Sequence, residues 1–180
     1  MRADALRNRE RIAAAALTLF AERGPDVCMD TIAQAAGVGV GTLYRHFPDR
    51  QALLLDIAAG ALRDLIEFGA GALEREDTGW QALVAIVRFC AGLPLALAKS
   101  LAGSLPAGTG LPELEQESDD LFARVVQRAQ GEGAVRRDIP PPDVVALLAV
   151  VVCRPGARPD DHLTTVMLDG LRQECVRATS

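Results

Sequence analysis

The chain has 180 residues, of which 49% are apolar and 24% charged, a globular composition that excludes a disordered chain. Its formal net charge of −5 excludes a generally basic nucleic-acid coat, though not a local basic face. Aromatic residues make up only 4%, so the core must be aliphatic.

The predicted elements are helical almost throughout. Ile12, Ala13, Ala16, Leu17 and Phe20 share one face of a first helix. Gly24 and Pro25 should stop it. A second short helix fits residues 29–36 and ends at Gly37; a third fits 40–47. Pro48 breaks the chain and Asp49 caps a long helix that runs to about Arg75, with Leu54, Ile57, Ala58, Ala61, Leu62 and Leu65 as its stripe. Further helices fit residues 79–100, split near Gly92 and Pro94, then 111–130, 141–153 and 159–177. Residues 103–111 read as a loop. Residues 144–152 are rich in β-branched side chains, but without a partner strand they read as a buried helix. The fold class is therefore all-α.

The longest apolar run, 144–153, is too short for the roughly 20 residues of a membrane span. The N-terminus is too charged for a signal peptide. A soluble, cytoplasmic protein without membrane contact is expected. Cys28, Cys90, Cys153 and Cys175 lie far apart, and there are only two histidines. No metal site is expected, and the thiols should be reduced and mostly buried. An exposed Cys28 would be the redox-sensitive one. No Ser/His/Asp grouping, Walker loop or HExxH occurs, so neither catalysis nor a cofactor is expected.

The informative stretch is residues 29–47, two short helices around the tight turn Gly37-Val38-Gly39. Ile32, Ala33, Ala36, Val38 and Leu43 form a miniature core. This is the helix-turn-helix arrangement, whose second helix enters the DNA major groove. At about 100° per residue, Val40, Leu43, Tyr44 and Phe47 fall on an inner sector, and Gly41, Thr42, Arg45 and His46 on an outer one. Gly41 allows close approach to DNA. Thr42 suits a phosphate, and so does the Tyr44 hydroxyl. Arg45 can pair with guanine O6 and N7, and His46 is a further donor. Arg50, and Arg7, Arg9 or Arg11 on the first helix, suit phosphates. Thr31 and Val40 complete the expected DNA face.

These residues resemble the TetR family of bacterial transcriptional regulators. The resemblance is carried by Arg9-Glu-Arg-Ile12, by Leu19-Phe-Ala-Glu-Arg-Gly24, by Ala35-Ala-Gly-Val38, and by Gly41-Thr-Leu-Tyr44 followed by His46-Phe47. It implies a three-helix DNA-binding domain, here 1–48, and a helical ligand-binding and dimerisation domain of the TetR type, here 49–180. It also implies a homodimer on a palindromic operator of double-stranded DNA, with repression relieved by a small-molecule effector. Residues 128–138 and 168–172 look like a common subgroup of such regulatory domains. Cys28 and Gly39 stand where the family usually has hydroxyl-bearing caps.

The ligand pocket is expected at Leu65, Phe68, Trp80, Phe89, Leu93 and Phe122, since pockets are lined by such residues, and its ligand should be apolar or weakly polar. The dimer contact is expected from Val144, Leu147, Leu148 and Val151 on one helix and Leu163, Met167, Gly170 and Leu171 on the next. The alternative is a helical small-molecule carrier without DNA function. The charge divides unevenly: residues 1–50 carry net +1 and residues 51–180 net −6.

Overall fold

A computed structural model of the chain describes residues 2–23, 26–101 and 109–173. Among these residues the structure holds nine α-helices and no strand, with one isolated antiparallel bridge between Val135 and Arg172. The all-α expectation holds, including residues 144–152, which are helical.

The chain divides into two compact units, Met1–Ile57 and Ala58–Ser180. In the first, α1 (Arg2–Arg23) buries Ile12, Ala16 and Leu19. The expected stop at Gly24 and Pro25 lies outside the described residues. Helix α2 (Met29–Ala35) buries Met29, Ile32 and Ala33. The chain then turns at Gly37, whose φ of +63° is the left-handed region that glycine enters without a Cβ penalty. Helix α3 (Val40–His46) follows. Cys28 and Gly39 are the extended N-caps of α2 and α3, and neither makes a side-chain cap bond.

Helix α4 (Arg50–Arg75) begins where Asp49 Oδ1 accepts the Ala52 N–H at 2.8 Å. The units part inside α4, later than the Pro48–Asp49 break. The reason is local: Leu53 and Ile57 are buried, and Asp56 is bonded to Arg9 of α1.

In the second unit α5 (Gly79–Cys90) starts from a reciprocal cap between Thr78 and Gln81. Helix α6 (Leu95–Leu101) is bent 77° from α5, so the split expected at Gly92 and Pro94 is present. The expected loop at 103–111 falls largely outside the described residues. Helix α7 (Leu111–Gly131) packs on α5. Helix α8 (Pro141–Val152) opens with proline, which the first turn tolerates. Helix α9 spans His162–Leu171, shorter than the expected 159–177. Asp161 accepts the Thr164 N–H at 2.7 Å and sets its start, while Arg172 leaves the helix to pair with Val135. Residues 174–177 lie outside the described residues. Among those described, no single helix is long and apolar enough to cross a membrane.

The stretches 128–138 and 168–172 meet in space. The Arg136 N–H donates to Leu171 O and the Gln173 N–H to Ala134 O, both at 3.0 Å. Arg128 donates to the carbonyls of Leu73, Glu76 and Asp77 at 2.8–3.1 Å and to Glu132 at 2.9 Å. One cation thus satisfies carbonyls that the end of α4 leaves free, where a positive charge is favoured. It also ties the α4–α5 turn to α7.

Candidate functional site

Helix α3 has two turns and buries one stripe. Leu43 and Phe47 are almost wholly enclosed. Val40 is 42% and Tyr44 45% exposed, which corrects the expected inner sector. So short a helix cannot bury a wider stripe in one corner. Thr42 and His46, expected to point outward, are half-buried instead. The outward strip is therefore Val40, Gly41, Tyr44 and Arg45, the i, i+1, i+4, i+5 positions of one helix face. A Cβ built on Gly41 meets nothing within 4 Å, so no packing inside the chain requires glycine there. Arg45 has no hydrogen-bond or ion-pair partner among the described residues.

The other expected cations are engaged elsewhere. Arg9 holds Asp56 through two bonds at 3.0 and 2.5 Å and lies 5.1 Å from the Phe47 ring centroid. Asp56 raises its pKa further above the ordinary arginine value. Arg11 donates to the carbonyls of Ala36 and Gly37 at 2.6 and 3.3 Å, capping α2. Arg50 donates to Val27 O at 2.8 Å and lies 5.3 Å from the Phe20 centroid, with its Nη2 buried. Arg9 and Arg50 are thus tied within the first unit by ion pairing, hydrogen bonding and ring stacking, Arg50 half-buried and Arg9 still exposed. Arg7 pairs with Asp4 in the open. Thr31 is half-buried, and its hydroxyl meets Cys28 Sγ at 2.9 Å. That bond lowers the pKa of the exposed Cys28 thiol.

A cavity of about 110 Å³ lies among α4, α6, α7 and α8. Leu65 and Phe122 line it as expected; Phe68, Trp80, Phe89 and Leu93 do not. Phe68 and Phe89 stack on each other at 4.0 Å, with Arg75 over Phe68, and Arg172 covers Trp80 at 5.3 Å. These rings find partners in the packing, where flat surfaces bury most area. The lining includes Lys99, Glu115, Ser118, Asp119 and Cys153, which departs from an apolar or weakly polar site. Burial raises the carboxyl pKa of Glu115 and of Asp119, and Lys99 opposes it. Burial also pushes the Cys153 thiol up, and more strongly that of enclosed Cys90. Cys175 lies outside the described residues. One signal for this site was present in the sequence: Ser118 sits in the apolar stripe of α7 with Leu111, Leu121, Phe122 and Val125.

The residues expected at a dimer contact divide in two. Val144, Leu148, Val151 and Leu171 lie in the chain's own core and cannot meet a partner. Helices α8 and α9 pack on each other and consume those faces. Leu147, Leu163 and Gly170 are exposed and Met167 half-exposed. Val150 and Val166, absent from the expectation, are 70% and 67% exposed.

Two family models match the chain. Residues 12–57 match the bacterial regulatory proteins of the tetR family, and residues 80–173 the C-terminal domain of SbtR-like transcriptional regulators. A TetR transcription regulatory protein from Mycobacterium vanbaalenii is 34% identical; the similarity covers 95% of this chain and 98% of that one, with a TM-score of 0.70. The regulator SCO0520 from Streptomyces coelicolor is 31% identical over 92% of this chain and 98% of its own, with a TM-score of 0.67. An HTH-type transcriptional regulator of Staphylococcus aureus, SAB2452, is 50% identical over 54 residues, 29% of each chain. The match to that relative thus spans under a third of its length. The helix-turn-helix geometry, the models that cover both units and the full-length likeness agree: the chain belongs to the TetR family of bacterial regulatory proteins, regulators of transcription and not enzymes.

Proposed function

We propose that the chain is a cytoplasmic, homodimeric repressor that binds a palindromic operator and is released by a small effector held in the cavity of the second unit. The observation that carries this reading is the outward strip of α3. It offers an unpaired arginine, a glycine with open space around it, a tyrosine and a valine. Arg45 reads guanine, Val40 suits a thymine methyl, and the Tyr44 hydroxyl reaches a phosphate. A carrier without DNA function gives this strip no task. The direct test is fluorescence anisotropy with a duplex from the region upstream of the chain's own reading frame. A salt-dependent rise is expected, because binding releases counterions. No rise at micromolar protein would overturn the reading.

Gly41→Ala separates stability from DNA contact. Alanine in a helix interior is favoured over glycine by about 1 kcal/mol, and the added Cβ meets nothing within the chain. The thermal midpoint is expected to hold or rise slightly. Operator affinity is expected to fall about tenfold, since the methyl group holds the α3 backbone away from the base edges. A variant that binds as well as the parent would show that the backbone does not approach DNA there.

The dimer face we propose is Leu147 and Val150 on α8 with Leu163, Val166 and Gly170 on α9. Their spacing of three and four residues makes one stripe on each helix, suited to a four-helix contact across a two-fold axis. Two recognition helices must then fall in successive major grooves, about 34–36 Å apart. Both Val150 and Val166 are exposed, so Val150→Asp with Val166→Asp should leave the fold intact and yield a monomer in sedimentation. Operator binding should be lost with it. A double variant that stays dimeric would move the interface elsewhere.

Helix α4 carries Asp56 in the first unit and the cavity residues Leu62 and Leu65 in the second. An effector that favours one setting of α4 would change half-site separation. A coupling of about 1–3 kcal/mol gives a 5–150-fold loss of DNA affinity.

A further inference from the structure

The cavity wall on α7 presents Glu115, Ser118 and Asp119, one helix face at i, i+3 and i+4. Ser118 is 6% exposed, and its hydroxyl has no hydrogen-bond partner among the described residues. The Ser118 oxygen is open to the cavity and not sealed within the protein, so it is available to bond a ligand. The opposite side is apolar, with Leu65, Leu148 and Val152. The charged or titratable groups that face the cavity are Glu115 and Asp119 from α7, Lys99 from α6 and the Cys153 thiol after α8. Lys99 forms no ion pair among the described residues. Two carboxylates against one ammonium leave the wall net negative.

Size limits the occupant. A dry cavity of roughly 150 Å³ holds a benzene ring, and this one measures about 110 Å³. We propose that the cavity takes a small organic cation: an alkyl chain of about four to six carbons among Leu65, Leu148 and Val152, with its ammonium head on Glu115 and Asp119 beside the Ser118 hydroxyl. An ammonium supplies three donors and no acceptor, matching two carboxylates and one free hydroxyl oxygen. A carboxylate ligand would gain Lys99 but face both acids. A neutral chain would leave the acids partly desolvated without compensation. This inference rests on the reading of the cavity as the effector site, and names the effector's class.

The experiment is isothermal titration of the full chain with n-pentylammonium chloride, sodium pentanoate and 1-pentanol, alongside release of the fluorescent duplex by each. Pentylammonium is expected to bind at least about tenfold more tightly than pentanoate or pentanol. The isosteric variants Glu115→Gln and Asp119→Asn should each weaken it about tenfold while leaving the thermal midpoint in place. Removing a partly desolvated carboxylate does not threaten the fold. Pentylammonium binding should also weaken as pH falls and the two carboxylates take up protons, at a higher pH than for ordinary carboxylates because burial raises both.

Three results would overturn the proposal: pentanoate or pentanol binding as tightly as the ammonium, ammonium affinity unchanged in both variants, or no heat with any probe. If pentanol or pentanoate binds best and releases the duplex, the cation fails and the effector site stands. If pentylammonium binds through the carboxylates without releasing the duplex, the cation site stands and the effector reading fails.

Discussion

Arg45→Ala is expected to weaken operator binding about 10–100-fold and to flatten its sequence preference. Arg45 is exposed on the outward strip of α3 and has no partner within the chain. Its removal should therefore leave the fold unchanged. A bidentate contact to guanine is worth about 1–3 kcal/mol of discrimination, which sets the size of the loss. The signature is the pattern across duplexes. Base reading predicts a large loss on the operator and a small one on unrelated DNA. An equal loss on both would make Arg45 a phosphate ligand and remove the one base-reading cation from α3. The salt slope, measured in parallel, should change little, because few phosphate contacts depend on this side chain.

Gly79→Ala is expected to destabilise the second unit by about 2–4 kcal/mol, lowering its thermal midpoint by about 10 °C. A Cβ at Gly79 would sit 2.5 Å from the backbone nitrogen of Ala129, 2.8 Å from its Cα and 3.0 Å from the Arg128 carbonyl carbon. Backbone cannot rotate away as a side chain can. Helices α5 and α7 would have to separate, yet the Gly79 N–H donates to Glu132 at 2.7 Å and Arg128 ties the preceding turn to α7. The contrast with Gly41→Ala is the informative comparison. One glycine has a neighbouring backbone against it and the other has open space. Differential scanning calorimetry should show a large fall for the first and none for the second. An unchanged midpoint in Gly79→Ala would mean that the α5–α7 contact is looser than its geometry.

The helices were legible in the residues because their punctuation is local. Gly37, Asp49 and the Gly92–Pro94 pair act within a turn of where they stand, and the structure uses each as expected. The family was legible because the stretch around the turn needs particular residue types at fixed spacing. The partners of long side chains were not legible. Arg9, Arg45 and Arg50 look alike as residues of a basic N-terminal segment, yet Arg9 closes on Asp56 and Arg50 on Val27 O while Arg45 stays free. The aromatic residues misled for a related reason. A large ring is equally suited to a pocket and to a core, and Phe68 with Phe89 chose each other.

The overall charge of −5 sharpens under the same distinction. With Arg9, Arg11 and Arg50 each bonded to other groups of the first unit, that unit offers few unpaired cations, so its DNA affinity should rest on placement and on a second copy more than on charge. The sequence alone determined the helical class, the helix-turn-helix and its family, because hydrophobic period, caps and turn residues are local constraints. Tertiary structure alone decided which arginine is free, which faces of α8 and α9 remain open, and that Glu115, Ser118 and Asp119 share a cavity. Those are matters of which distant surfaces meet, and burial, hydrogen bonding and charge pairing resolve them only after the helices pack.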